Sequence, residues 1–466
     1  MQNINSLKRY LIALSLPIFL SSLSTSITNI AVPSLISAFN ASFSQAQWVI
    51  VAYLITLTSA AILTGSLGDR INRRTILLFS LSLFIIASTL SGLSPTINWL
   101  IGFRILQGVA AAGMINTTMA MIAGLNAKNK GGFAMGLIGS LSAIGTAAGP
   151  TLGGLLINLW GWQAIFLINI PFSIIALFLI IRFVPKPASA PIEHKPIDIL
   201  GLSLLTVAII LYTFSIVNWG SYSFLLIALS VMSVISFVIV EKRIAHPVIS
   251  IELLKQPILF IGVILSLLVA TVMMTTLIVG PFYLLYKLVL SPWQMGLVMS
   301  CGPIVAACVG LPAGKLVDKF NPNTIIFYAL ICMVSGFTLF ALFAQHLSIS
   351  LYLLFITLIT SGYAAFQAAN NTAILFGVNS NKKSLLAGVI NLSRNLGLIN
   401  GAALMATLFA FAAGGTMNAA MPQENIVAGF RLTFAISAVL MFVALNLLFF
   451  HQRYVAKQNI DNNSDN

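Results

Sequence analysis

Two arginines lie inside long apolar stretches of the sequence, where a charge is costly and is usually retained for function. Arg104 lies in the apolar run 98–122, and Arg394 lies in the run 385–412. An arginine at the centre of a membrane helix costs about 2.5–3.5 kcal/mol on insertion scales, so each should face a cavity or a polar partner. Both are therefore candidate charges for coupling or for lining a cavity. The alternative for Arg394 is that its long side chain extends to the cytoplasmic surface.

No carboxylate is available inside the apolar runs to neutralise these arginines. The acidic residues all lie in tails, loops or at the ends of runs: Asp69, Glu193, Asp198, Glu241, Glu252, Asp318, Glu424, Asp461 and Asp465. The polar side chains within the runs are neutral, and those predicted to line a substrate cavity are Ser24, Asn29, Tyr53, Asn116, Gln367, Asn370 and Asn391. Apolar walls with a few polar groups are typical of sites for amphiphilic small molecules.

Other chemistry finds no support in the sequence. The three cysteines lie in apolar runs and the four histidines are peripheral, so no metal site is predicted. The chain has no HExxH, no GxSxG and no glycine-rich phosphate loop, which makes a membrane enzyme a weak alternative. We expect no cofactor.

The composition predicts an integral membrane protein. The 466 residues are 59% hydrophobic and only 7% charged, with a mean hydropathy of +1.02. In a typical soluble protein about a quarter of the residues are charged, so the outer surface of this protein must face lipid. Spans must then be helical, because each has to satisfy its own backbone hydrogen bonds.

Apolar runs of spanning length recur fourteen times, with no cleavable signal sequence before the first. They cover about 11–35, 48–68, 75–94, 98–122, 133–157, 164–184, 199–217, 222–240, 258–286, 293–313, 324–344, 348–374, 385–412 and 430–450. Of the 23 lysines and arginines, all but Arg104, Lys287, Arg394 and Arg431 lie in the tails or the even-numbered gaps. The positive-inside rule places both termini in the cytoplasm. The net charge of +14 is thus a topology signal, and nucleic acid is not an expected partner.

The two halves of the chain repeat one motif. GSLGDRINRRTI (65–76) follows the second run, and GKLVDKFNPNTI (314–325) follows the tenth. If two spans are inserted in the middle, each motif closes the second helix of a six-helix half. We therefore predict an N-terminal half at 1–196, two inserted helices at 197–243 and a C-terminal half at 244–466. Repeated halves around a central site are typical of transporters, and a channel fits this arrangement poorly.

Several motifs together resemble the fourteen-span drug–proton antiporter subfamily of the major facilitator superfamily. They are GSLGDRINRRTI, LIGFRILQGVAAA (100–112), NIAVP (29–33), QWVIVAY (47–53), WGWQAIFLINIP (160–171), SPWQMGL (291–297) and the glycine spacing of the fifth run. The resemblance implies an all-α membrane fold of fourteen helices, with two six-helix halves and two inserted central helices.

The resemblance also implies a helix that seals the two halves together. Its residues are Gly136, Gly145, Gly149, Pro150, Gly153 and Gly154. Glycines four apart leave a bare stripe on which a neighbouring helix packs closely, and the proline bends the helix beside it. The alternative is an ordinary packing interface.

The first repeated motif would act as a conformational latch, formed by Gly65, Asp69, Arg70, Arg73 and Arg74, with Asp318 at the matching position of the second repeat. In the family the aspartate meets the amino-terminal end of a helix that here begins near Leu385, where a carboxylate is stabilised by the helix dipole. The alternative is a solvated turn whose charges only set topology.

The function implied is export of lipophilic or amphiphilic small molecules by alternating access, coupled to protons, by a monomer in a bacterial inner membrane. The subfamily usually carries an aspartate at the position of Ser24. Without that acid, we expect permanent cations to be poor substrates and neutral or anionic amphiphiles to be preferred. The alternative within transport is export of one neutral or anionic metabolite or lipid precursor.

Overall fold

The computed structural model describes residues 4–67, 71–123, 131–185, 198–244, 256–375, 380–414 and 422–464. Within these residues the regular structure is helical. The α-helices, numbered here in chain order, are α1 (Ile4–Phe39), α2 (Phe43–Leu67), α3 (Arg73–Gly92), α4 (Ile97–Ala123), α5 (Gly131–Trp160), α6 (Ala164–Leu167), α7 (Asn169–Phe183), α8 (Ile199–Val217), α9 (Ser223–Glu241), α10 (Pro257–Phe282), α11 (Pro292–Lys319), α12 (Pro322–Phe343), α13 (Ile349–Leu375), α14 (Ser380–Ala412) and α15 (Gln423–Ser464). A π-helical turn, Tyr283–Lys287, follows α10.

The predicted all-α membrane fold is confirmed. Helices occupy all fourteen predicted runs, and twelve helices of the described chain are long and apolar enough to cross a membrane. The fourteen-span count stays a prediction. The run 164–184 is divided between α6 and α7, and α1 and α15 extend beyond their apolar runs. Hydropathy reports where lipid contact ends, whereas a helix continues as long as its backbone bonds do.

Two compact units share the chain. The first comprises residues 1–248, 284–304 and 416–421, and the second comprises 249–283, 305–415 and 422–466. The predicted division at 196 and 243 stays a prediction. In the first unit, α8 and α9 form a hairpin in which hydroxyls on α9 donate to carbonyls on α8: Ser223 to Ser215, Ser230 to Ala208 and Ser233 to Leu204. Such bonds keep the polar atoms of an otherwise lipid-facing pair satisfied.

The sequence repeat is also a repeat of local structure, with corresponding residues 249 positions apart. Asn72 and Asn321 cap the helices that follow them. The side-chain oxygen of each accepts a hydrogen bond of 2.9 Å from the backbone N–H two residues later. Ser42 and Gln45 bond reciprocally at the start of α2, and Ser291 and Gln294 do so before α11. Both helix starts are capping boxes, a local signal readable from sequence.

The residue two positions before each capping box has a left-handed backbone conformation. Asn40 has φ of 48°, and its counterpart Val289 has φ of 52°. Asparagine tolerates this conformation, whereas a β-branched side chain there is strained. Val289 is 73% exposed, so burial of its side chain contributes little to offset this strain.

We therefore expect Val289→Asn to stabilise the protein by about 1 kcal/mol, because it removes the strain at this turn. The measurement is the thermal unfolding midpoint of the purified protein. Val289→Ala is the matched control, since it removes the β-branch and keeps a Cβ that still disfavours the left-handed region. A Val289→Asn protein no more stable than Val289→Ala would contradict the assignment of strain.

Candidate functional site

Arg104 lies at the centre of a buried polar network in the first unit. Its side chain is 1% exposed and its guanidinium carbon lies 4.0 Å from the centroid of the Tyr53 ring. Its Nε donates to the Val49 carbonyl oxygen at 3.0 Å, and its Nη1 donates to the Ser24 hydroxyl at 3.4 Å and to Gln107 Oε1. Every acceptor is neutral.

The network continues on both sides of the guanidinium. Gln107 Nε2 donates to the Ser88 hydroxyl at 2.8 Å, which links α4 to α3. The Tyr53 hydroxyl accepts from Thr25 at 3.3 Å, which links α2 to α1. A buried guanidinium without a carboxylate is tolerated only with polar acceptors and an aromatic face of this kind. Arg104 thus joins four helices of the unit and leaves a positive charge in its interior.

The predicted sealing glycines make close contacts with α1. A Cβ on Gly145 would lie 3.2 Å from the Cβ of Ser22, and one on Gly149 would lie 2.6 Å from the Cβ of Ser26. Beside this contact the Ser26 hydroxyl donates to the Thr146 carbonyl oxygen at 2.8 Å. Gly153 approaches Ile27 in the same way. The stripe of glycines four residues apart therefore packs α5 against α1 within the first unit.

Another face of α5 packs on the first turns of α11, residues that belong to the same unit. A Cβ on Gly154 would lie 3.1 Å from the Cα of Gly296, and a Cβ on Gly296 would meet the Pro150 carbonyl oxygen. The hydroxyls of Thr151 and Ser300 hydrogen bond beside this crossing. Gly296 belongs to the SPWQMGL motif, so the structure gives that motif a packing role. Gly136 lies in α5, and its surroundings are outside the described residues.

The second unit contains an equivalent glycine contact that the sequence reasoning missed. Gly397 and Gly401 of α14 pack on α10, where added Cβ atoms would lie 2.7 Å from the Cβ atoms of Ala270 and Met274 respectively. The signal was present in the sequence as glycines four residues apart in an apolar run, which favours close helix contact. Close helix packing through a glycine stripe thus occurs in both units.

Part of the predicted latch lies outside the residues that the structure describes. Asp69 and Arg70 lie outside the described residues, and so do the surroundings of Gly65 and Asp318. Arg73 and Arg74 are described: their guanidinium groups donate to the carbonyl oxygens of Ala120 in α4 and Ile181 in α7, both at 2.9 Å. Cations are stabilised at the carboxyl ends of helices, so these two arginines hold α3 to α4 and α7.

The predicted cavity residues divide into buried and accessible groups. Asn29 and Asn370 are 3% and 1% exposed, and Asn370 donates to the Gly262 carbonyl oxygen at 3.0 Å. Like Ser24 and Tyr53, they are enclosed within their own unit. Asn116, Gln367 and Asn391 retain accessible surface, and Asn391 is the most open of them. Asn116 bonds Thr64 at 3.0 Å and Gln367 bonds Tyr363 at 3.0 Å.

A repeated, multi-pass helical membrane fold with polar groups inside its units defines a membrane transport protein. The family model of the Major Facilitator Superfamily matches residues 14–402, and the chain belongs to that family. Among its relatives, the riboflavin transporter RibZ of Clostridioides difficile (strain 630) is 29% identical over 96% of this chain and 98% of the relative. The multidrug efflux pump LfrA of Mycolicibacterium smegmatis is 27% identical over 86% of this chain and 80% of the pump.

The fold also has solved counterparts. A bacterial homologue of the human lysosomal transporter Spinster, in an inward-facing and unoccupied conformation, superposes with a TM-score of 0.72. That structure is 15% identical and covers 98% of both chains. At this identity the likeness shows the fold alone.

Proposed function

We propose that the protein is a secondary active transporter that exports amphiphilic small molecules, neutral or anionic, by alternating access across a bacterial inner membrane. It works as a monomer with both termini in the cytoplasm and fourteen spans, and its transport is coupled to protons. Similarity to pumps such as LfrA supports efflux of many compounds.

The observation that carries the charge preference is the setting of Arg104. Its guanidinium is buried with neutral acceptors alone, and Ser24 holds the place where the related subfamily has an aspartate. A buried positive charge in a medium of low dielectric constant repels cations strongly. Neutral and anionic compounds do not meet that barrier.

A specific metabolite is the second candidate, and the similarity to RibZ favours it. Riboflavin is uncharged, so it fits the absence of acidic residues inside the spans. The alignment with RibZ covers nearly the whole of both chains. On this hypothesis the transporter handles one compound instead of many.

Counterflow in proteoliposomes separates these hypotheses. The full chain is reconstituted, the vesicles are preloaded with one unlabelled compound, and uptake of its labelled form is followed for riboflavin and for a panel of cationic, neutral and anionic amphiphiles. Transient accumulation of several neutral or anionic amphiphiles supports broad export, and accumulation of riboflavin alone supports the second candidate. Flux without counterflow would indicate a channel, and cation transport alone would contradict the charge argument.

The latch is proposed from the family resemblance, with Asp69 stabilising one global state through the amino-terminal end of a helix. Asp69→Asn keeps the shape and removes the charge. We expect slower turnover with nearly unchanged substrate affinity, because the latch does not touch substrate. Equal losses in turnover number and KM-derived affinity, or no loss in either, would count against a latch.

Ser24→Asp tests the charge barrier directly. The new carboxylate would lie within reach of the Arg104 guanidinium, since the Ser24 hydroxyl is 3.4 Å from Nη1. A buried carboxylate with this partner keeps its charge and forms an ion pair, so the variant loses the positive charge and gains no proton carrier. We expect faster efflux of a quaternary ammonium dye with unchanged dependence on the pH gradient. The assay is dye efflux from vesicles with and without that gradient.

Ser24→Asn is the matched control, because it is similar in size to the aspartate and carries no charge. Equal dye efflux in the two variants would show that the charge is irrelevant. A steeper dependence on the pH gradient in Ser24→Asp would show that the carboxylate does carry a proton.

A further inference from the structure

The two arginines inside the membrane spans have opposite environments. Arg104 is buried, and its Nε and Nη1 donate to acceptors of its own unit. Arg394, in α14 of the second unit, is half-buried, and its Nε is enclosed without a hydrogen-bond partner among the described residues. A guanidinium has five N–H donors and no acceptor, so this partly exposed guanidinium, with no hydrogen bond to the described residues, retains donors for an acceptor from outside the protein.

The internal repeat shows which residue of the first unit Arg394 corresponds to. Gly145 and Gly397 occupy equivalent places, because each packs on a carbonyl and a Cβ of the facing helix: Phe19 and Ser22 for Gly145, Leu267 and Ala270 for Gly397. Three residues before these glycines are Ser142 and Arg394.

In the first unit this position forms a hydrogen bond across the helix pair. The hydroxyls of Ser142 and Ser22 are 2.8 Å apart on a partly buried surface. In the second unit Ala270, which has no hydrogen-bonding side chain, takes the place of Ser22. The repeat has therefore exchanged an internally satisfied serine pair for a cation and a methyl group.

The neighbours of Arg394 on its helix are hydrogen-bonding amides. Asn391, three residues earlier, is exposed, and Asn395 is half-buried. An amide–guanidinium stripe facing lipid would be strongly unfavourable, so this face should border an aqueous path. The sequence contains no acidic residue between Glu252 and Asp318 or between Asp318 and Glu424, so no carboxylate from these spans can neutralise the charge.

We propose that Arg394, together with Asn391 and Asn395, binds an oxyanion group, such as a carboxylate, on the transported compound. The assignment rests on the proposed export function and narrows its substrate class to amphiphilic anions. A planar guanidinium binds carboxylates through two parallel hydrogen bonds, and adjacent amides can add further donors. Arg104 takes no direct part, because its side chain is 1% exposed and enclosed in its own unit.

The test uses three compounds that share one fluorophore: dansylglycine (anionic), dansylglycinamide (neutral) and dansylcadaverine (cationic). The purified full chain is reconstituted in phosphatidylcholine vesicles, and initial rates above those of protein-free vesicles give KM and kcat. We expect dansylglycine to have a KM about tenfold lower than that of dansylglycinamide, the effect of one charge-assisted hydrogen bond. Dansylcadaverine should be the poorest substrate.

Variants of Arg394 test whether this residue binds the anionic group. Arg394→Gln should raise the KM for dansylglycine about tenfold and the KM for dansylglycinamide by much less, and the remaining transport of dansylglycinamide shows that the variant is folded. Arg394→Lys should recover part of the affinity, because it keeps the charge without the planar pair of donors. Arg431→Gln is the control, since Arg431 is an exposed arginine of the same unit.

The possible failures are distinguishable. Export of dansylglycinamide with no preference for dansylglycine, or equal losses for both compounds in Arg394→Gln, overturns the oxyanion site and leaves the proposed function standing. Export of none of the three compounds by the wild type contradicts the proposed function and, with it, the oxyanion site.

Discussion

Replacing Arg104 by lysine should reduce transport at least about tenfold, although the positive charge is kept. The guanidinium donates to Val49, Ser24 and Gln107 at once and stacks on Tyr53. A lysine ammonium is a compact charge that cannot reproduce this planar geometry. Each lost bond to a charged donor is worth about 1.5–3 kcal/mol, so Arg104→Gln should also destabilise the first unit.

The measurements are transport rate and thermal unfolding midpoint of purified protein. Arg182→Lys is the control, because Arg182 is exposed on α7 of the same unit. Wild-type transport by Arg104→Lys would show that charge alone matters at this position. A stable but inactive Arg104→Gln protein would show that the network acts in the transport cycle and contributes little to folding.

Gly149→Leu should abolish transport while the protein still inserts in the membrane. Even a Cβ at this position would lie 2.6 Å from the Cβ of Ser26, so a leucine must push α5 away from α1 and break the bond from Ser26 to Thr146. Overpacking of this kind costs about 1–3 kcal/mol or more. Gly401→Leu should have the same effect in the second unit, because Gly401 packs on α10 in the same way.

Matched controls are available in each unit. Gly102 and Gly310 have open space where a Cβ would be added, so Gly102→Leu and Gly310→Leu introduce the same side chain without a clash. Efflux from cells with equal amounts of each variant in the membrane is the measurement. Wild-type efflux by Gly149→Leu, or a loss equal to that of Gly102→Leu, would contradict a role for the close contact.

The repeated helix starts show how much local structure the sequence carries. Ser42 with Gln45 and Ser291 with Gln294 are capping boxes, and each bonds within four residues of its own chain. The helices between such starts follow from apolar length, because a span must satisfy its backbone internally. The all-α fold could therefore be predicted, and the family was predicted separately from the resemblance of its motifs.

The partners of buried groups were beyond sequence reasoning. Both Arg104 and Arg394 are charges in apolar runs that contain no carboxylate. Arg104 nevertheless donates to Ser24 and Val49, which lie far from it in the chain, whereas the Nε of Arg394 has no acceptor among the described residues. The difference depends on how each helix is rotated about its axis. That rotation is fixed by side-chain packing between helices, which hydropathy does not encode.

For the glycine stripes, too, the sequence predicts one part of the contact and the tertiary structure decides the other. Spacing of four residues determined that Gly145, Gly149 and Gly153 form one bare face on α5. Only the tertiary structure decided that this face packs on α1 while Gly154 packs on Gly296, and that Gly397 and Gly401 form the equivalent contact in the second unit. Periodicity is a property of one helix, whereas a contact requires the surfaces of two helices to match, so sequence determined the face and packing decided its partner.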